Sequence, residues 1–227
     1  MGYGKIKMKK AEVAIFVSNP PTIIITLAFA RLLKRKYFVI IYDVYPDVLV
    51  SLGILKSKNP IIRAWLLVNS FALSGAEGVI TIGKQMAIKL ENQFDHKSTT
   101  FKSVEVIPIW VDTKVMRPIN RHNNPFSIKL GIQEKFVILY SGNLGLSHDI
   151  ETILKAAKSL SKLDEIAFVI IGEGTKWKYA FDFKIKHKLE NLLVLPFQDE
   201  KILPQSIGIA DIGIVSLETN AGSVMIP

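Results

Sequence analysis

Phe136 to Tyr140 form a run of five apolar or aromatic, β-favouring residues that Ser141-Gly142-Asn143-Leu144-Gly145 breaks, and from Ile150 the apolar residues recur at helical spacing. Strand, glycine-containing turn and helix in that order bring backbone N–H groups and the positive end of a helix dipole to the carboxyl edge of a sheet. A phosphate can be held there without a dedicated side chain, so a nucleotide is the natural ligand. Asp43 and Asp47 end another apolar run, a place where open α/β sheets receive ligands. Spaced four apart, they do not make a D-x-D metal motif; a cleft role competes evenly with a solvated loop that simply uses Asp and Pro. The chain has no cysteine and four scattered histidines, so no metal site is expected. His96, His122 and His187 fall in polar segments and read as surface residues, whereas His148 is set apart by its place beside the presumed phosphate site.

The elements needed to position these groups follow a repeated β-then-α order. The apolar runs at Ala11 to Val17, Tyr37 to Tyr42, Glu77 to Ile82 and Val104 to Pro108 read as strands, with helices at Thr22 to Leu33, Pro60 to about Ser74 and Lys84 to Gln93. Strands apolar on both faces and flanked by helices imply a parallel sheet covered on both sides. A segment richer in Pro, Asn and Arg, from Asp112 to Pro125, separates two domains, 1–112 and 113–227. The second repeats the pattern, with strands at 136–141, Ala167 to Ile171, Leu192 to Leu195 and Ile212 to Val215, and helices from about His148, from about Lys176 and near Leu203 to Ala210. Ile150, Ile153, Leu154, Ala157, Leu160 and Leu163 fall on one stripe of the first helix, with Asp149 and Glu151 suited to its N-terminus.

Composition narrows the partners. With 49% hydrophobic and 22% charged residues among 227, the chain builds packed cores rather than disorder. The excess of 29 Lys+Arg over 20 Asp+Glu favours contact with something anionic. No aromatic residues are interleaved with the basic runs Lys5 to Lys10 and Arg31 to Lys36 at base-stacking spacings, which argues against nucleic acid. Glu12 interrupts the signal-like first apolar run, and neither Ile23 to Leu33 nor Ile61 to Ala76 is suited to span a membrane. The latter helix, with Trp65, Leu66, Leu67 and Phe71, either packs in a core or rests on a membrane surface.

IPIWVDTKVMRP, NPFSIKLGIQEKFVILYSGNLGLSHDIETILKAA, FVIIGEG and ADIGIVSL, together with IYDVYPDVLVSLGILK in the first half, resemble the retaining, nucleotide-sugar-dependent glycosyltransferases of family 4. The resemblance is nearest to the subgroup that builds bacterial surface polysaccharides, in the manner of colanic-acid or O-antigen transferases. It implies an α/β, GT-B-like fold of two Rossmann-like parallel-sheet domains, an acceptor-side 1–112 and a nucleotide-sugar-binding 113–227. Relatives continue at both ends, so both domains are expected to be incomplete, and the isolated chain is expected to bind donor weakly or not at all and to be without transferase activity.

Under that resemblance Gly142 and Asn143 would place amides at the donor diphosphate, with Leu144 between them and Gly145 permitting close approach, unless the glycines serve an ordinary turn. Many relatives have Arg at the position of Asn143, so charge compensation would come from Lys176 or from a Lys beyond Pro227. Gly172 and Glu173 would lie near the nucleotide. Pro196 and Phe197 would contact the base, unless Phe197 is a core residue, and Leu217, Glu218, Gly222 and Ser223 would approach the donor sugar and phosphates. Asp43 and Asp47 would face the acceptor. The implied co-substrate is a nucleoside-diphosphate sugar of UDP or GDP type with no obligatory cofactor or metal. The implied acceptor is a glycan or polyprenyl-diphosphate-linked glycan, met in the cytoplasm with peripheral contact to the inner face of the membrane. Two rivals stand: a non-catalytic or split-gene Rossmann module that assembles with a partner piece, and a dinucleotide oxidoreductase, which Gly142-Asn143-Leu144-Gly145 disfavours because it lacks G-x-G-x-x-G spacing.

Overall fold

The computed structural model describes residues 12–94 and 103–219. They fall into two compact units, the first ending at Ile109 and the second running from Trp110 to Glu218. In the first, β1 (Ala14–Val17), α1 (Ile23–Leu32), β2 (Tyr37–Ile41), α2 (Asp47–Ser51), α3 (Pro60–Leu73), β3 (Gly78–Thr81), α4 (Lys84–Glu91) and β4 (Val104–Val106) follow one another. The strands are parallel in the order β1-β2-β3-β4. Each strand is laid beside its predecessor in the same sense, so the right-handed crossover rule sends the connecting helices to one face. On that face Val39, Val79 and Val104 pack with Leu27, Leu73 and Leu90. The other face is less well covered among the described residues: Ile15 is 69% exposed and lies in register with Phe38, itself exposed. Among the described residues the expectation of a sheet covered on both sides is therefore not met in this unit, since sequential winding supplies their helices to one side.

α3 begins where Pro60 can occupy a first helical position without wasting an N–H, and Asn59 Oδ1 accepts the Ile61 N–H at 2.9 Å. It is only half a core helix. Ile62, Ala72 and Leu73 are buried, as is Asn69, whose amide donates to Tyr45 O at 2.7 Å and Gln93 Oε1 at 3.0 Å, while Leu67 and Phe71 stay exposed.

The second unit contains a 3-10 turn at Arg121–Asn123, then α5 (Pro125–Leu130), β5 (Phe136–Ser141), α6 (Ile150–Ser159), β6 (Ile166–Ile171), α7 (Trp177–His187), β7 (Leu192–Leu195), a 3-10 turn at Glu200–Ile202, α8 (Leu203–Ile207) and β8 (Ile212–Gly213). Its parallel sheet has the order β7-β6-β5-β8, and both faces are covered. Alternate residues of β6 divide between two cores: Phe168 and Ile170 join Ile150, Leu154 and Ala180 on one side, and Ala167, Val169 and Ile171 join Phe126 and Ile209 on the other. Asn124 is fully buried at the start of α5, where its Oδ1 accepts the Phe126 N–H at 2.9 Å and its amide donates to Gln205 O at 2.8 Å, tying α5 to α8. Gly131 closes α5 in the left-handed region, with φ +67°. The apolar stripe assigned to α6 holds through Ala157, but the helix stops at Ser159; Leu163 lies past it, 39% exposed, in the tight turn whose Leu163 O accepts the Ile166 N–H.

Candidate functional site

The chain winds from β5 through β6 to β7 and then returns to the other side of β5 as β8. Such a reversal opens a crevice at the carboxyl ends of the two strands that flank it, the position where open sheets take ligands. The loop after β5, residues 142–149, lies there, and the segment after β8 runs beside it. Ile214 N–H donates to Leu139 O at 2.7 Å, Ser216 Oγ to Asp149 O at 2.8 Å, and Glu218 N–H to Ser147 O at 2.8 Å.

A second turn, after β6, supports the loop. Gly142 N–H donates to Ile171 O at 2.9 Å, Leu144 N–H to Glu173 O at 2.7 Å, and Lys176 N–H to Leu144 O at 2.9 Å, while the Leu144 side chain is wholly buried. The two turns approach so closely that a Cβ on Gly172 would fall 1.8 Å from Gly142 O, and one on Gly174, at φ +135°, 2.7 Å from Leu144 O. The amides of Gly142, Leu144 and His148 are therefore spent inside the protein, the last on Gly145 O at 3.2 Å, which corrects the expectation that Gly142 offers its N–H. The amides of Asn143 and Gly145 have no acceptor among the described residues. Gly142 keeps only its room: a Cβ there would meet nothing nearer than Tyr140 Oη at 3.9 Å. Tyr140 Oη donates to Asn143 O at 2.7 Å, and burial pushes its pKa up to about 12, so it remains a donor across the neutral range.

The cation at this loop is Lys176, whose Nζ donates to His148 O and to Glu218 Oε1, both at 2.6 Å. His148 does not add a second positive charge at neutral pH. Burial lowers its pKa, opposed by its backbone hydrogen bond at Gly145 and reinforced by the nearby Lys176. Asp149 caps α6 by accepting from Thr152 N–H at 3.1 Å and Thr152 Oγ1 at 2.6 Å, bonds that hold its carboxyl below the ordinary range. Of the other residues singled out from sequence, Glu173 is exposed and lends its carbonyl to the loop, Leu217 is half-buried beside Glu218, and Pro196 and Phe197 follow β7. Phe197, 51% exposed, is not a core residue. Gly222 and Ser223 lie outside the described residues, as does His96.

In the first unit Asp43 and Asp47 are not brought together. Asp43 lines a cavity of about 30 Å³ with Ser18, Tyr45 and Trp65, and burial raises its pKa. The Trp65 Nε1–H, which the sequence marks only as part of an apolar helix, is buried there without an acceptor among the described residues, and the Trp65 ring stacks on Tyr45. Asp47 instead sits on a surface groove of about 700 Å³ with Arg63 and Lys89, bound to Gln93 Nε2 at 2.6 Å and Lys89 Nζ at 3.4 Å. Among the described residues no group of three or more His, Cys, Asp or Glu side chains is placed to hold a metal ion.

The chain is 29% identical to a Pseudomonas aeruginosa protein named as the glycosyltransferase WbjE, over 97% of this chain and 54% of that one. It is 24% identical to an Escherichia coli K12 protein named as the colanic acid biosynthesis glycosyl transferase WcaI, over 87% of this chain and 48% of that one. The chain thus spans about half the length of the curated relatives it matches. The crystal structure of Anabaena HepE in complex with UDP shares the fold, with a TM-score of 0.66 at 12% identity, over 88% of this chain and 52% of that one. The two Rossmann-like units are of the kind found in GT-B glycosyltransferases. Residues 123–224, which hold the glycine loop and its supporting turn, match the family described as Glycosyl transferases group 1.

Proposed function

We propose that this chain is part of a glycosyltransferase that moves a sugar from a nucleoside-diphosphate donor to a glycan or a polyprenyl-diphosphate-linked acceptor in surface polysaccharide synthesis. The observation that carries the reading is the loop after β5. It offers the amides of Asn143 and Gly145, which have no acceptor among the described residues, at the point where the strand order reverses, with Lys176 alongside. Amides fixed in place and one cation suit a diphosphate leaving group, whose developing charge they stabilise without a metal. Gly172 and Glu173 hold that loop, Pro196 and Phe197 lie at the end of the neighbouring strand β7, and Leu217 and Glu218 border it. The HepE structure holds UDP, which favours a uridine or similar nucleotide as the donor's base. Asp43, at the carboxyl end of β2, is the acceptor-side candidate.

The test is isothermal titration of the folded chain with UDP, GDP and NAD. Selective, weak binding of one nucleoside diphosphate, reduced by Lys176→Ala, is expected. A folded chain that binds UDP and GDP no better than NAD refutes the assignment. The face of the first sheet that the described residues cover less well favours a second reading, in which the chain assembles with another polypeptide; co-purification of a defined complementing fragment, lost on Ile15→Lys, would support it.

A further inference from the structure

Two polar groups of the first unit stand without partners around one cavity, the space of about 30 Å³ at the carboxyl ends of β1 and β2. Its floor is apolar and buried, made by Leu27, Val39, Ile41 and Leu73. The half-buried Asp43 carboxylate meets no hydrogen-bond donor and no cation among the described residues. Trp65 Nε1–H, on the ring stacked against Tyr45, has no acceptor among them. Asn69 and Ser18, which also line the cavity, are engaged elsewhere: the Asn69 amide donates to Tyr45 O and Gln93 Oε1, and Ser18 Oγ accepts from Tyr42 N–H at 3.0 Å. A buried indole N–H ordinarily finds an acceptor, and leaving one unpaired beside an unpaired carboxylate costs stability. A site that keeps both is suited to a group that pairs with both.

The chemistry of the lining restricts what can enter. No Lys, Arg or His among the described residues lines the cavity, so an anion would face Asp43 without a counter-charge. An ammonium group would satisfy Asp43 but set a second donor against the indole N–H. A neutral group that donates and accepts at one atom satisfies both, and a hydroxyl is the smallest such group. The volume suits about two water-sized groups, which is a hydroxyl and the carbon that bears it, with the apolar floor against the CH2. Burial and the Asp43 charge raise the Tyr45 pKa, so the phenol beside them stays neutral. We propose that this cavity is a subsite for the hydroxymethyl arm of an acceptor hexose, whose O–H donates to Asp43 and whose oxygen accepts from Trp65 Nε1–H. Nε1 is enclosed as the ring stands, so the indole tilts toward the arm as it enters, a movement that its loose parallel stacking on Tyr45, with ring centres 6.1 Å apart, permits. The inference rests on the proposed function for the ligand's being an acceptor, and it makes Asp43 and Trp65 determinants of specificity. A hexose with a methyl group in place of the hydroxymethyl arm loses both bonds and leaves both protein groups unpaired.

Proton–nitrogen correlation NMR of the indole N–H groups of the full chain tests it, since the chain has three tryptophans and Trp65→Phe assigns the peak of Trp65. The probes are the methyl glycosides of glucose, galactose and mannose, each beside its 6-deoxy counterpart. At least one parent glycoside should move the Trp65 peak downfield along a saturating curve while the Trp110 and Trp177 peaks stay in place. Its 6-deoxy counterpart should bind at least about tenfold more weakly. Asp43→Asn keeps the shape but trades a charged acceptor for a neutral one and should weaken the response about tenfold. It should not lower the melting temperature, because no described residue binds that carboxylate. A Trp65 peak that no parent glycoside moves overturns the inference, as does a 6-deoxy glycoside that binds as well as its parent or an undiminished response in Asp43→Asn. A long-lived water at Trp65 Nε1–H that no glycoside displaces, detected by its nuclear Overhauser effect, also overturns it and makes the cavity a structural water site. UDP titration of the same wild-type sample separates the two readings: UDP binding without a glycoside response rejects this subsite and leaves the donor site standing, and a glycoside response without UDP binding does the reverse.

Discussion

Gly172→Ala is the sharpest probe of how the second unit builds its loop. The added Cβ would sit 1.8 Å from Gly142 O and 2.6 Å from Leu144 Cδ1, so either the loop after β5 or the end of β6 must move by more than about 1 Å to reach ordinary contact. The displaced atom is a carbonyl oxygen of a backbone whose own N–H is bonded to Ile171 O, so the obstacle cannot swing aside as a flexible side chain would. Overpacking of this kind costs about 1–3 kcal/mol, and the upper end applies where the obstacle is backbone. For a unit of this size, about 3 kcal/mol lowers the melting temperature by on the order of 10 °C or more. Scanning calorimetry should show that loss, and UDP or GDP binding should vanish, because the amides of Asn143 and Gly145 move with Gly142. The control is Gly142→Ala, whose Cβ would meet only Tyr140 Oη at 3.9 Å and should cost less than about 1 kcal/mol. A Gly172→Ala protein that melts within a degree or two of wild type would refute the argument that the two turns are held in contact.

Asp149→Ala removes the α6 cap and should cost about 1 kcal/mol by urea denaturation at neutral pH. The folded carboxyl titrates below its unfolded value, so the stabilisation is present above the ordinary carboxylate range and lost as pH falls through the folded pKa; the wild-type and variant curves should converge in acid. His148, lowered by burial, adds stability above its unfolded pKa of about 6.5 that is lost as pH falls below it, and His148→Gln should flatten that limb of the pH–stability curve. Asn124→Ala removes both a cap and the bond to Gln205 O in a buried site and should cost about 2 kcal/mol, read from the same denaturation curves. Glu218→Gln frees Lys176 from its carboxylate and should tighten UDP or GDP binding severalfold by calorimetry, whereas Lys176→Met should weaken it.

Much of this arrangement is legible in the residues themselves. The shift from a β-favouring run to helical spacing across Gly142 to Gly145 marks β5, its loop and α6, and the stripe Ile150, Ile153, Leu154 and Ala157 is the buried face of that helix. Short elements are harder to read. α5 carries its own signal, Asn124-Pro125 at the start and Gly131 at the end, yet it spans just Pro125–Leu130, directly after the stretch from Asp112 to Pro125 whose Pro, Asn and Arg content reads as a linker. α2, at Asp47–Ser51, is too short for any period to show. Glycine spacing points to turns after β5 and β6, but the donation of Gly142 N–H to Ile171 O depends on strand pairing across tens of residues. No local pattern encodes which amide is spent and which is left over.

The contrast between the two units has the same origin. Both are alternating β and α sequences of parallel strands, and local composition does not distinguish a sheet wound in one direction from one that reverses. The first unit keeps its strands in chain order, which places α1, α3 and α4 on one side and leaves Ile15 and Phe38 outward on the other. The second returns past β5 to lay down β8, so that α6 and α7 cover one face and α5 and α8 cover the other. That one reversal accounts for the two-sided core and sets the candidate site at the end of β5.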